Sequence, residues 1–252
     1  SSLLYKGAAG DSNLQVEQIK ELLKEHVDIL IVSPNEEEPL TPVVEKAYKE
    51  GIPVIVVDRK ISSNLYTAFI GGDNYEIGFN AGSYIGNLLK GKGNVIEITG
   101  LKGSSPAMER REGFKDAVKR FPDIKIIAEV PGDWLKPIAQ SQLQKMNVPL
   151  KKASLIFAHN DVMALGAYEL YHNRGLDNHV KFVGVDAQPG IQGGIELVSK
   201  GILTASLLYP TGGKEAIQTA IEISRKEPVQ KENLLQTIVI DSSNVRLMKL
   251  QT

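Results

Sequence analysis

Cysteine is absent from the 252 residues, which excludes disulfides and thiolate chemistry and leaves the redox compartment open. No apolar run approaches the roughly 20 residues that span a bilayer as a helix, and Ser1 does not open a signal peptide. Neither sign of charge is in excess: 29 Lys+Arg against 30 Asp+Glu give a formal net charge of −1. No overall field therefore draws the chain to nucleic acid or to an anionic membrane. The lysines are scattered rather than striped with aromatics, and no helix-turn-helix opens the chain. The four histidines, His26, His159, His172 and His179, lack metal-ligand spacing. There is no G-x-S-x-G elbow for a Ser-His-Asp hydrolase. "GLKGSS" and "GNLLKGKG" match neither the dinucleotide fingerprint nor the P-loop. Catalysis would have to come from Asp58, Asp161 or Asp186, and nothing pairs them as acid and base. The sequence thus predicts no enzyme, no cofactor and no metal.

What is present is an alternation. Short β-branched runs, "VDILIVS", "IPVIVVD", "GNVIEITG", "DIKIIAEV", "ASLIFAHN" and "VKFVGVD", read as strands, most of them apolar on both faces as in a helix-covered parallel sheet. Between them lie helical stretches such as "LQVEQIKELLKEH", with Leu14, Ile19, Leu22 and Leu23 on one face. Glu36 to Glu38 suit the acidic first turn of another helix. Several helices stop at Gly after Lys or Arg. The alternation predicts a doubly wound α/β architecture. The rhythm pauses at "NLYTAFIGGDN" and again at "LTASLLYPTGG", which suggests crossings between two lobes. The expected division is 1–72 plus 210–238 for the first lobe and 73–209 plus 239–252 for the second.

Ligands of open α/β sheets bind outside the carboxyl ends of the strands. Those ends carry Asp58 and Arg59, Asn160 and Asp161, and Asp186. Arg110 opens the "MERREGF" helix and Trp134 sits in the loop after "IIAEVPGD". Such groups suit a hydroxyl-rich ligand held by forked hydrogen bonds, with an aromatic face for the C–H side of a sugar ring. Each residue also has a plainer reading. Asp161 reads as a helix N-cap, and Asp58 with Arg59 as a surface ion pair. One of Arg110 and Arg111 is solvated, Trp134 reads as core, and Asp186 as a cap of the turn "AQPG".

The segments "IPVIVVDR", "SSPAMERREGF", "IFAHNDVMALGA" and "KFVGVDAQPG", in this order and spacing, resemble the periplasmic-binding-protein type I superfamily, in its ribose-binding and LacI-like branch. The resemblance runs from about residue 3 to residue 240. It implies two Rossmann-like lobes joined by a three-segment hinge and closing over a monosaccharide. Asp58 and Arg59 would bind sugar from the first lobe, and Arg110, Trp134, Asn160 and Asp186 from the second, with Asp161 left as the cap. Tyr209, followed by Pro210 and Thr211, stands where transport-type members carry a hinge glutamine; it is counted with the ligand-binding set and argues against ribose specificity. The segment "LLYKGAAGDSNLQVEQI" resembles the family's second β-α unit, so the first strand-helix unit is expected to be missing.

The wording of "LIVSPNEEEPLTPVVEKAYKEGIPVIVVDRK", "AHNDVMALGAYE" and "LLYPTGGKEAIQ" is similar to periplasmic sensor domains of hybrid two-component regulators. That likeness implies a ketose such as fructose as ligand, a membrane-anchored parent with a histidine kinase, and a homodimer. A free solute-binding protein of an ABC transporter and the effector domain of a LacI-type repressor stay open as alternatives, the latter without nucleic-acid contact by this domain itself.

Overall fold

The computed structural model describes residues 2–251. In chain order the elements are α1 (Ser12–Lys24), β1 (Leu30–Val32), α2 (Glu37–Lys49), β2 (Val54–Val57), β3 (Ala68–Gly72), α3 (Asn74–Leu88), β4 (Lys92–Thr99), α4 (Ser105–Val118), β5 (Asp123–Pro131) and α5 (Lys136–Lys145). They continue with β6 (Leu155–Ala158), α6 (Asp161–His172), β7 (Lys181–Asp186), α7 (Gly194–Ser199), β8 (Ala205–Leu208), α8 (Gly213–Ser224), β9 (Glu232–Leu235), β10 (Val239–Asp241) and α9 (Val245–Gln251). The chain divides into two compact units. Unit 1 holds the chain through Gly72, Gly103–Pro106 and Thr211–Leu235; unit 2 holds Asp73–Lys102, Ala107–Pro210 and the chain from Gln236.

Gly103–Pro106 lies inside the span expected for the second lobe but belongs to unit 1. Two hydrogen bonds tie it there: Glu37 N–H donates to the Gly103 carbonyl at 3.0 Å, and Lys60 N–H to Ser105 Oγ at 2.7 Å.

Unit 1 is built on a four-stranded parallel sheet in the order β1-β2-β3-β9. β2 and β3 are buried at every residue, as interior strands must be when both faces are covered. On one face α1 and α2 pack through Ile19, Leu40, Val43 and Val44; on the other α8 packs through Ala216 against Ile55, Val57 and Ile70. Asp11 caps α1, its side chain accepting from Leu14 N–H at 3.0 Å. Leu14, expected on the apolar face, is 45% exposed in that first turn, and the buried stripe begins at Ile19. Glu37 and Glu38 occupy the first turn of α2. Residues 3–6 form no strand, and Leu3 and Tyr5 are largely exposed. A strand exists only beside a hydrogen-bonded neighbour, and the sheet ends at β1.

Unit 2 carries a six-stranded sheet in the order β10-β8-β7-β6-β4-β5, parallel except for β10 against β8. One core joins β4, β6 and β7 to α5, α6 and α7 through Ile96, Ile98, Ile156, Met163, Tyr171 and Leu197. The opposite face packs on α3 and α4 through Ile77, Ile85, Phe114 and Phe157. Two strands fall where the rhythm was expected to pause: β3 lies within "NLYTAFIGGDN" and β8 within "LTASLLYPTGG". Both are ladder-paired interior strands, so tertiary pairing overrides the turn-like glycines and serines around them.

Candidate functional site

The sheet order of unit 2 sets the carboxyl ends of five parallel strands side by side, β8-β7-β6-β4-β5. Each end leads into one residue of interest. Tyr209 follows β8, Asp186 ends β7, Asn160 lies just past β6, Arg110 is on α4 after β4, and Trp134 lies just past β5. These five come together in unit 2. Asp58 and Arg59 follow β2 in unit 1 and form a separate group there.

Arg110 is only 3% exposed. Its Nε donates to Asn74 Oδ1 at 2.9 Å and a terminal nitrogen donates to the His159 carbonyl. The guanidinium lies over the Tyr209 ring at 4.8 Å and the Trp134 ring at 5.6 Å, an attraction of charge to the ring faces. Close helix packing fixes its height. Gly78 of α3 abuts the Arg110 backbone and Gly113 of α4 abuts the Tyr75 backbone, so a Cβ at either would collide with main chain. Arg111, next in sequence, turns outward to Glu129 at 2.6 Å.

Three of the sequence-predicted residues, Asp58 (φ 67°), Trp134 (φ 68°) and Asp186 (φ 116°), have left-handed backbone without being glycine. Such conformations cost about 1–3 kcal/mol each and persist only where surroundings hold them. Asp186 is held because its carbonyl accepts from Tyr209 N–H at 3.0 Å and from Gln188 Nε2 at 3.2 Å. Trp134 is wedged against Gly100, where a Cβ would meet the indole. In Asp58 the backbone N–H donates to the Ile70 carbonyl at 2.9 Å.

At the start of α6 the cap is not the residue expected. Asn160, not Asp161, is the N-cap: its Oδ1 accepts from Met163 N–H at 3.0 Å, while Nδ2 donates to the Trp134 carbonyl at 3.2 Å. The Asp161 carboxylate turns instead into unit 2. There Oδ2 accepts from Ala187 N–H at 2.7 Å and Oδ1 from Ser206 Oγ at 2.7 Å. Gly184 and Gly194 leave the room it fills. Burial raises the Asp161 pKa well above the ordinary carboxylate range, with the Asp186 charge adding to the rise and the Ser206 and Ala187 bonds opposing it. Asp161 is thus a tie between α6, β7 and β8.

In unit 1, Arg59 Nε stands 3.7 Å from Asp58 Oδ2. Its terminal nitrogen donates to the Asn35 carbonyl at 2.8 Å and to Asn35 Oδ1 at 3.2 Å. Sequence reasoning missed Asn35, Asn74 and Glu97, and took His159 only as a histidine without metal spacing. The two asparagines matter through partners 24 and 36 residues away, which no local pattern encodes. Among the described residues no cluster of three acids or histidines can hold a metal, and no helix is long and apolar enough to cross a membrane. A guanidinium, an amide and a carboxylate beside two aromatic faces can supply donors, acceptors and apolar surface to a polyhydroxylated ring.

The chain is similar to known proteins over most of its length. The model of the periplasmic binding protein domain matches residues 2–228. The ribose import binding protein of Escherichia coli (strain K12) is 30% identical over 218 residues, covering 86% of this chain and 72% of that protein. Among solved structures, the fructose binding periplasmic domain of the hybrid two component system BT1754 superposes with a TM-score of 0.94 at 46% identity, covering 99% of this chain and 83% of that one. An ABC transporter periplasmic solute binding protein from Actinobacillus succinogenes 130z with bound D-allose gives a TM-score of 0.84 at 26% identity, covering 94% and 86%. With two α/β units, each on a mainly parallel sheet, and a match to the family model over most of its length, the chain belongs to the periplasmic binding protein family, in its type I fold.

Proposed function

We propose that this chain is an extracytoplasmic monosaccharide sensor, with a ketose such as fructose as ligand, and that it signals to a membrane-linked histidine kinase. The observation that carries the reading is the five-strand convergence in unit 2, where buried Arg110 lies over Tyr209 and Trp134 with Asn160 and Asp186 beside them. The 46% identity to a fructose binding domain of a hybrid two component system supports both the ligand and the signalling context. In this reading Asp58 and Arg59 bind the same sugar from unit 1. A ligand that needs both groups at once favours the conformation that offers both, which shifts a population without any chemistry. A homodimer of the parent would transmit that shift.

A second reading, a free solute-binding protein of a sugar ABC transporter, is favoured by the likeness to ribose import and allose-bound transporter proteins. Calorimetry against D-fructose, D-ribose and D-allose separates the ligands. Reading the gene beyond Thr252 separates the roles: a hydrophobic span followed by kinase motifs supports sensing, and a stop codon supports transport. Failure of all three sugars to bind, with wild-type circular dichroism intact, overturns the sugar reading.

A further inference from the structure

Beneath the cluster lies an ionisable pair that none of the proposed ligand contacts uses. His159 and Glu97 are both fully buried, with His159 Nε2 3.0 Å from Glu97 Oε1. The other ring nitrogen, Nδ1, accepts from Gly100 N–H at 3.3 Å. An acceptor nitrogen carries no proton, so the imidazole is neutral, with its single proton on Nε2 and donated to Glu97. Glu97 Oε2 has no hydrogen-bond partner among the described residues. A buried carboxyl and imidazole are costly to desolvate, and apolar residues fill such interiors at lower cost. The pair is therefore a candidate for a task at the site above it.

Its connections define that task. The His159 ring stands 6.4 Å from the Trp134 ring, and the His159 carbonyl accepts from Arg110. Gly100, which donates to the ring, is also the residue against which the indole is wedged. One residue thus links β4, Arg110 and Trp134. We infer that the Glu97–His159 pair is a positioning pair for Arg110 and Trp134, and that ligand binding requires His159 to stay neutral. This inference rests on the proposed sugar site but does not depend on which sugar occupies it.

A second proton on Nδ1 would face Gly100 N–H, donor against donor, and the ring or Gly100 would have to move. Either movement reaches Trp134 directly and Arg110 through the carbonyl. The charged groups whose fields reach His159 are Glu97 on β4, Arg110 on α4 and Glu129 on β5, the last tied to Arg111 and Lys115. Burial lowers the His159 pKa below the ordinary histidine value, Glu97 opposes that shift, and Arg110 reinforces it. Affinity should then fall by up to about tenfold per pH unit once the medium is more acidic than this depressed pKa.

The test uses the full chain, D-fructose, and the fluorescence of Trp134, the sole tryptophan. His159→Gln offers an acceptor to Gly100 and a donor to Glu97 without titrating; His159→Ala offers neither. Calorimetry from about pH 7.5 down to the most acidic medium in which circular dichroism shows the fold intact should show wild-type affinity falling with acid. His159→Ala should weaken binding roughly tenfold or more at every pH, and His159→Gln should recover most of that loss with a flat profile. Trp134 emission without sugar should titrate in wild type and not in His159→Gln. A wild-type acid slope retained in His159→Gln overturns the inference, as does unaltered affinity in His159→Ala. Should His159→Ala not fold, the Gln variant and the Trp134 titration decide. If fructose does not bind wild type at all, the fructose reading fails by itself; emission that follows pH in wild type alone still supports the pair, and emission flat in both proteins overturns it.

Discussion

The two units bury polar groups of different kinds. In unit 1 the buried polar side chains are hydroxyls, those of Ser12, Ser104, Ser105 and Thr219; in unit 2 they include Glu97, Arg110, His159, Asn160 and Asp161. The candidate groups of unit 1, Asp58 and Arg59, keep 35% and 21% of their side-chain surface in solvent, whereas Arg110 keeps almost none. A hydroxyl is inexpensive to bury with one hydrogen bond, but a charge must be surrounded by partners. Unit 2 therefore holds a buried cluster whose members stabilise each other, and unit 1 offers a more solvated pair that is cheap to alter. Perturbing unit 2 should damage both fold and binding, while perturbing unit 1 should touch binding alone.

The largest contrast is expected at Asp161. Asp161→Ala removes the acceptor of two buried donors and should destabilise the chain by about 2–4 kcal/mol, read by urea unfolding; Asp58→Ala should stay within about 0.5 kcal/mol. An Asp161→Ala protein as stable as wild type would erase the distinction. Next, Arg110→Ala should weaken sugar binding roughly a hundredfold or more in calorimetry, against roughly tenfold for Arg59→Ala. Equal losses would mean that burial does not set the contribution of each arginine. A smaller effect belongs to Asn160→Ala, which loses the α6 cap and should cost about 1 kcal/mol by thermal unfolding.

The subtlest prediction is a pH profile. The Asp161 pKa is raised on folding, so its contribution favours the fold below the unfolded carboxyl value of about 3.9 and is lost as pH rises through the folded value. Asp161→Asn cannot ionise and should show a flatter loss of stability over that rise. An unchanged slope would place the titration elsewhere.

The alternation of elements was legible because the sheets are parallel apart from β10 and interior strands such as β2 and β6 are apolar on both faces, a pattern written locally. β9, with the sequence ENLL and a half-exposed face, and α5, rich in Gln and Lys, carry too few apolar residues to announce themselves. At the site, the strand-end residues were legible from position alone. Which of Asn160 and Asp161 caps α6 was not, since both side chains cap well and only the space left by Gly184 and Gly194 decides. Left-handed backbone at Trp134 and Asp186 has no sequence mark when glycine is absent. Glu97 reads as one polar residue in a strand, because its partner His159 lies 62 positions away.

β8 has a neighbour whose importance is mechanical. One end of β8 presents Tyr209 beneath the Arg110 guanidinium, and along its length β8 is laced antiparallel to β10, Leu207 opposite Val239. A short turn beyond β10, α9 begins, and its Lys249 grips Glu196 of α7 at 2.6 Å. Neighbouring strands of a ladder share their backbone hydrogen bonds, so the mounting of the Tyr209 ring and the mounting of α9 rest on one pair of strands.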